Sequence, residues 1–147
     1  MARYIALIDG EPGAFGVVFP DCPGCTAMGA TLDEALVAAA EALADWAGDV
    51  AGPRGPDQAQ SQDGNPRMPK PRSVAELRAA PEVRRALADG AALAVVPLIL
   101  EAGRPVKANL SLDAGLLAAI DEAAAARGLT RSAFLASAAR AKIVEQR

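Results

Sequence analysis

The sequence predicts an α+β chain of two domains, an antiparallel sheet packed with helices followed by a strand-helix-helix unit that must pair with a twin. Three observations lead there. Short apolar stretches, Arg3–Asp9, Phe15–Phe19, Thr26–Gly29 and Ala92–Leu100, are set off by Gly- and Pro-bearing turns, the pattern of strands. Apolar residues at helical spacing follow Thr31, Ser73, Asp113 and Thr130, each a side chain suited to a helix N-cap. A Pro-, Gly- and Gln-rich stretch, 52–72, interrupts the first domain and cannot bury a core. The expected divisions are 1–51 with 73–102, a flexible polar excursion over 52–72, and 103–147.

In the first domain, Glu11-Pro12-Gly13 is a turn, so the first two strands pair most simply as an antiparallel hairpin. Pro20 to Cys25 is a rigid loop before the short third strand. Thr31 with Glu34 forms a reciprocal capping box. Leu32, Ala35, Leu36, Ala39, Leu43 and Trp46 then share one helical face, read as core packing against the sheet. Ser73 with Glu76 opens a second helix, which Pro81 must kink or restart and Gly90 ends. Ala92–Leu100 is continuously apolar, as in a strand covered on both faces, although Pro97 argues for an edge, a bulge or an early end.

The last third is the most informative. In a strand over Val106–Leu112, Val106, Ala108, Leu110 and Leu112 share one face, and Lys107, Asn109 and Ser111 the other. Asp113 caps a helix carrying Leu116, Leu117, Ile120 and Ala124 on its apolar face, and Gly128 stops it by entering the left-handed region. Thr130 caps a second helix with Phe134, Leu135, Ala138 and Ala141 inward. So short a segment rarely buries enough apolar surface alone. A twin would complete the core and convert one strand into a two-stranded ribbon, which a DNA major groove admits. The same pattern also fits an ordinary β-α-α core fragment with a polar outer face.

Charge is unevenly placed. Residues 1–52 carry one basic and eight acidic side chains, a balance of −7, whereas residues 101–147 balance at +2 within a total of −3. The acidic part suits a basic partner or simple solubility; the basic part is weakly attractive to nucleic acid. The chain has no histidine, which removes the commonest general base and metal ligand. Metal-dependent nuclease chemistry would need several converging carboxylates, and Asp9 alone reads better as an exposed turn acid. Cys22-Pro23-Gly24-Cys25 supplies two ligands where structural zinc wants four, so it is read as two reduced thiols. No catalytic residue, metal or cofactor is expected. Without a bilayer-length apolar run or a secretory signal pattern, no membrane association and a cytoplasmic location are expected.

Two resemblances sharpen this reading. The strand, helix, "RGLTRSAFL" (Arg127 to Leu135) and helix between Arg104 and Ile143 resemble the ribbon-helix-helix repressors of the Arc/MetJ type. That resemblance implies an intertwined dimer, with Lys107, Asn109 and Ser111 facing the groove and the amides near Thr130, Arg131 and Ser132 holding a phosphate. Gly13 to Trp46 resembles the N-terminal domain of HicB-type antitoxins, through the PDxPGC loop (Pro20 to Cys25), the G-x-T-x-x-E-A helix start (Gly29 to Ala35) and the tryptophan near the helix end. The joint resemblance implies a partly degenerate ribonuclease-H-like domain followed by a dimerising ribbon-helix-helix domain. It implies an antitoxin that blocks a small basic HicA-type mRNA-cleaving toxin and represses its operon at an inverted-repeat operator, as a homodimer or homotetramer. Asp9, Glu11, Phe19 and Asp21 are the expected toxin contacts. The alternative is a stand-alone ribbon-helix-helix regulator whose acidic domain binds a ligand or another protein.

Overall fold

Pro12-Gly13 reverses the chain so tightly that the strands on either side pair up to the turn itself, with Glu11 opposite Ala14 and Leu7 opposite Val18. In this computed structural model, which describes residues 1–51, 68–100 and 104–145, the chain forms two units, 1–101 and 102–147. The first holds an antiparallel sheet of β1 (Arg3–Glu11), β2 (Ala14–Val18), β3 (Thr26–Gly29) and β4 (Ala92–Pro97), in the order β3-β2-β1-β4. The hairpin is as expected, shifted by one or two residues because the ladder continues into the turn. Strand β4 ends at Pro97 rather than Leu100, since proline cannot donate to a ladder. It is an edge strand with Val95 41% exposed, so the expectation of a strand covered on both faces is corrected.

Strand β1 is the buried centre. Its Tyr4, Ala6 and Ile8 point to one face and Ile5 and Leu7 to the other, and all five are buried. Helix α1 (Leu32–Ala51) covers the first face, burying Ala35, Leu36, Ala39 and Leu43. Leu32, expected on that inner face, is exposed because it lies in the first turn, before the helix reaches the sheet. The helix start is fixed by the capping box: Glu34 N–H donates to Thr31 Oγ1 at 3.1 Å, and Thr31 N–H donates back to Glu34 Oε2 at 3.3 Å. Gly29 is required by proximity. A Cβ there would lie 2.3 Å from the Ala35 nitrogen and 2.7 Å from its Cα.

Helices α2 (Val74–Ala79) and α3 (Pro81–Ala88) cover part of the second face, where Leu77 and Val83 close on Ile5 and Leu7. Ser73 and Glu76 form the expected capping box. Pro81 restarts the helix rather than kinking it, occupying the first position of α3, where its missing N–H costs nothing.

The second unit contains α4 (Ala114–Ala126) and α5 (Arg131–Val144). Asp113 caps α4 by accepting from the Gly115 and Leu116 amides, and Thr130 caps α5 by accepting from Ala133. Gly128, at φ +66°, ends α4; its N–H donates to Ala125 O at 3.0 Å while Leu129 N–H donates to Ala124 O at 2.9 Å. Only Ile120, Ala124 and Val144 are buried on these helices. Leu116 is 51% exposed, Leu117, Phe134 and Leu135 are half-buried, and Ala138 and Ala141 are exposed, so the expected inner faces are only partly covered. Residues 106–112 form no paired strand here: a strand needs a neighbour, and the described residues of this unit offer none.

Candidate functional site

Strand alternation puts Asp9 and Glu11 on the same face as Ile5 and Leu7, beyond the reach of α2 and α3. Both are exposed, and neither forms an ion pair among the described residues. The Asp9 carboxylate leans across β2: its Oδ1 lies 3.2 Å from where a Cβ on Gly16 would be, and Gly16 in turn pairs with Met28 on β3. Val18, opposite both Leu7 and Thr26, lies on this face too. Val18 is 45% and Met28 72% exposed. The sequence reading named neither; the β1-β2 register sets Val18 two residues from Gly16, the partner of Asp9, and the β2-β3 register sets Met28 on the other side of that glycine.

The other two expected contacts lie elsewhere. Phe19 is buried in the core. Asp21 is buried with its side chain 4% exposed, held by Arg72, whose Nε donates to Oδ1 at 2.5 Å and whose backbone N–H donates to Oδ2 at 2.9 Å. An Arg72 guanidinium nitrogen also donates to Pro20 O at 3.4 Å. Tyr4 Oη donates to Pro69 O at 2.7 Å, and Trp46 Nε1 donates to Pro23 O at 3.2 Å. Asp21 thus clamps the chain entering α2 onto the loop after β2; both oxygens are engaged and burial shields the side chain from a partner. Arg72 lies in the stretch read as polar excursion; residues 68–72 are part of the packed unit, and 52–67 lie outside the described residues.

Cys22 and Cys25 are free thiols, both buried, in a turn closed by Cys25 N–H donating to Cys22 O at 3.0 Å. Burial, followed by the neighbouring Cys25 and Asp21, pushes the Cys22 thiol up to about 12, and burial raises Cys25 as well. A reactive or metal-binding thiol needs the opposite shift. Among the described residues no group of three or more His, Cys, Asp or Glu side chains could hold a metal ion.

In the second unit, Lys107, Asn109 and Ser111 are exposed, as are Thr130, Arg131 and Ser132. Thr130 is occupied as the cap of α5. Arg131 is not a free cation: its guanidinium forks onto Asp121 at 2.6 and 2.7 Å, which lowers the Asp121 carboxyl and raises Arg131. The sequence reading missed Asp121, although it lies on α4 ten residues before its partner. Arg127 stacks 5.6 Å from the Phe134 ring centre and donates to Ala123 O at 3.0 Å.

A four-stranded antiparallel sheet flanked by helices, followed by a second small unit of two helices with exposed apolar side chains, defines an α+β protein. Among the described residues no helix is long and apolar enough to cross a membrane. The chain belongs to the HicB-like antitoxin family of bacterial toxin-antitoxin systems, whose family model matches residues 4–139. It is 31% identical to the antitoxin HicB of Burkholderia pseudomallei, over 95% of this chain and 97% of that one, with a TM-score of 0.47. It is 28% identical to the antitoxin HicB3, over 99% and 100% of the two chains, with a TM-score of 0.49. A toxin-antitoxin complex from Streptococcus pneumoniae matches at 20% identity over 96% and 98%, with a TM-score of 0.47. A search of the curated proteins finds no match.

Proposed function

We propose that the chain neutralises a small basic mRNA-cleaving toxin of the HicA type through unit 1–101 and represses its own operon through unit 102–147. Neutralisation is by occlusion of the toxin's RNA-binding site, without a catalytic step. The observation that carries this reading is family membership over residues 4–139 combined with a charge split that follows the two units, −6 over residues 1–101 (8 basic, 14 acidic) and +3 over 102–147 (7 basic, 4 acidic). Complementary potential speeds encounter and excludes wrong partners.

For the second unit the reading is a ribbon-helix-helix dimer on an inverted-repeat operator. It is supported by what one copy leaves bare: Val106 is 87%, Leu110 66% and Leu116 51% exposed, with only three residues buried on its two helices. A second copy would cover this surface and supply the missing neighbour for residues 106–112. Lys107, Asn109 and Ser111 would then face the groove. The Arg131 and Ser132 amides at the start of α5 would hold a phosphate. The partly degenerate ribonuclease-H-like fold of the first domain, a cytoplasmic location and a dimeric or tetrameric state belong to the same proposal.

Co-expression tests it. A small basic protein is expected from an adjacent reading frame; it should arrest growth alone and cease to do so when this chain is present. Deleting residues 104–147 should abolish binding to DNA upstream of the operon in a gel shift, and Asn109→Ala should weaken it by about 1–3 kcal/mol. An adjacent product that is harmless, or that stays toxic in the presence of the chain, refutes the antitoxin role.

A further inference from the structure

We propose that the open half of the second sheet face seats a small cationic protein, with Val18 and Met28 as its apolar anchors and Asp9 and Glu11 as its acidic rim. This rests on the antitoxin reading above and specifies where on the first unit the partner sits. Sheet faces are normally covered on at least one side, and here α1 covers one face completely enough to bury Val17, Ala6 and Ile8. The other face is covered only over Ile5, Leu7 and Leu93, where α2 and α3 pack. From Leu7 outward through β2 to β3, the described residues of this unit leave it bare. Met28 stands 72% exposed next to Gly16, which has no side chain to shield it, and the Asp9 carboxylate overhangs the same glycine. A methionine on a flat surface beside an unpaired carboxylate is a shape that an apolar side chain flanked by Lys or Arg would fill.

The charge decides the occupant. On this half of the face the strands present Asp9 and Glu11 and no basic side chain, while the other exposed acids of residues 1–52 lie on α1, over the opposite face. Two unpaired carboxylates beside an apolar patch disfavour a phosphate backbone. A second copy joined across this face by a twofold axis would set acids against acids. A cationic protein meets neither obstacle.

The test uses the full-length chain and the adjacent-frame basic protein, titrated by calorimetry at low and physiological salt. Met28→Ala should weaken binding by tenfold or more, as truncation of a central anchor does. Asp9→Lys together with Glu11→Lys should weaken it most at low salt and flatten its salt dependence. Glu41→Lys, an exposed acid of α1, changes the net charge in the same direction away from this face and should alter affinity by less than about twofold. All these side chains are exposed, and circular dichroism checks that the fold is kept. Absence of binding by the unaltered chain would overturn the antitoxin reading itself. Full-strength binding by both the Met28 and the Asp9/Glu11 variants would overturn only this site. Self-association of the unaltered chain that Met28→Asp abolishes would give the face to a second copy instead.

Discussion

Replacing Arg72 by alanine separates the structural from the partner-binding interpretation of Asp21. The substitution takes away the 2.5 Å bond to Oδ1 and the weaker 3.4 Å bond to Pro20 O, but leaves the backbone N–H bond to Oδ2 in place. One oxygen of a side chain only 4% exposed is then left without its partner. An unsatisfied buried acceptor costs about 1–3 kcal/mol, and breaking a fully buried ion pair about 3–5. Arg72 is itself 36% exposed and one bond survives, so the lower range applies and the loss should be about 2 kcal/mol. For a unit of this size that lowers the melting midpoint by about 10 °C. Trp46 is the only tryptophan and its indole bonds Pro23 O in the clamped loop, so its fluorescence during urea unfolding follows the event directly. Asp21→Ala should cost a similar amount, and the double variant much less than the sum, because both changes remove one shared interaction. Losses below about 0.5 kcal/mol, or strict additivity, would refute the clamp. So would an Asp21→Asn chain of unchanged stability that binds its partner poorly, because Asp21 would then be a contact.

Three further outcomes follow from the same geometry. Gly29→Ala should destabilise the first unit by about 3 kcal/mol, measured by urea unfolding, because its Cβ would meet backbone atoms at 2.3 and 2.7 Å that cannot swing away; a loss under 1 kcal/mol would contradict that approach. Cys22 and Cys25 should resist iodoacetamide at pH 8 in the folded chain and react on unfolding. Since the folded state holds the Cys22 proton up to about 12, stability should fall as pH rises from the ordinary thiol range toward that value; rapid labelling of the native protein at pH 7 would contradict this. Asp121→Asn should release Arg131 and raise affinity for non-specific DNA about two- to fivefold in fluorescence anisotropy, the effect expected of an exposed ion pair, while unchanged or weaker binding would show that Arg131 has no phosphate role.

Much of this fold was legible in the chain because its determinants are local. Caps at Thr31, Ser73, Asp113 and Thr130, the break at Pro81 and the stop at Gly128 each act within one helical turn, and each is where the sequence placed it. The misreadings all involve distance. Asp21 looks like a loop carboxylate until Arg72, 51 residues later, arrives beside it. Arg131 looks like a free cation until α4 brings Asp121 against it. Val95 and Leu32 look like core until the sheet edge and the helix start are located. Met28 was invisible for the converse reason: only the β2-β3 register shows that it stands beside a glycine rather than under a neighbour.

The residues that carry the family resemblance and the residues proposed to meet a partner are different sets. Pro20 and Asp21 receive Arg72, Cys22 and Cys25 fill the loop interior, Gly29 admits Ala35, Thr31 and Glu34 cap α1, and Trp46 ties its far end to Pro23. Every one of these holds the scaffold through a contact within the first unit. Asp9, Val18 and Met28 hold nothing: they project from a sheet whose pairing depends on backbone groups alone, so their identity can change without disturbing it. Such an arrangement lets a clamped scaffold stay constant while partner choice is altered by side chains on one half-face, through new attractions for one cationic surface and mismatched charge or bulk against others. On this proposal Asp9 and Glu11 would set the class of partner, and Val18 and Met28 around Gly16 would set which member of that class is held.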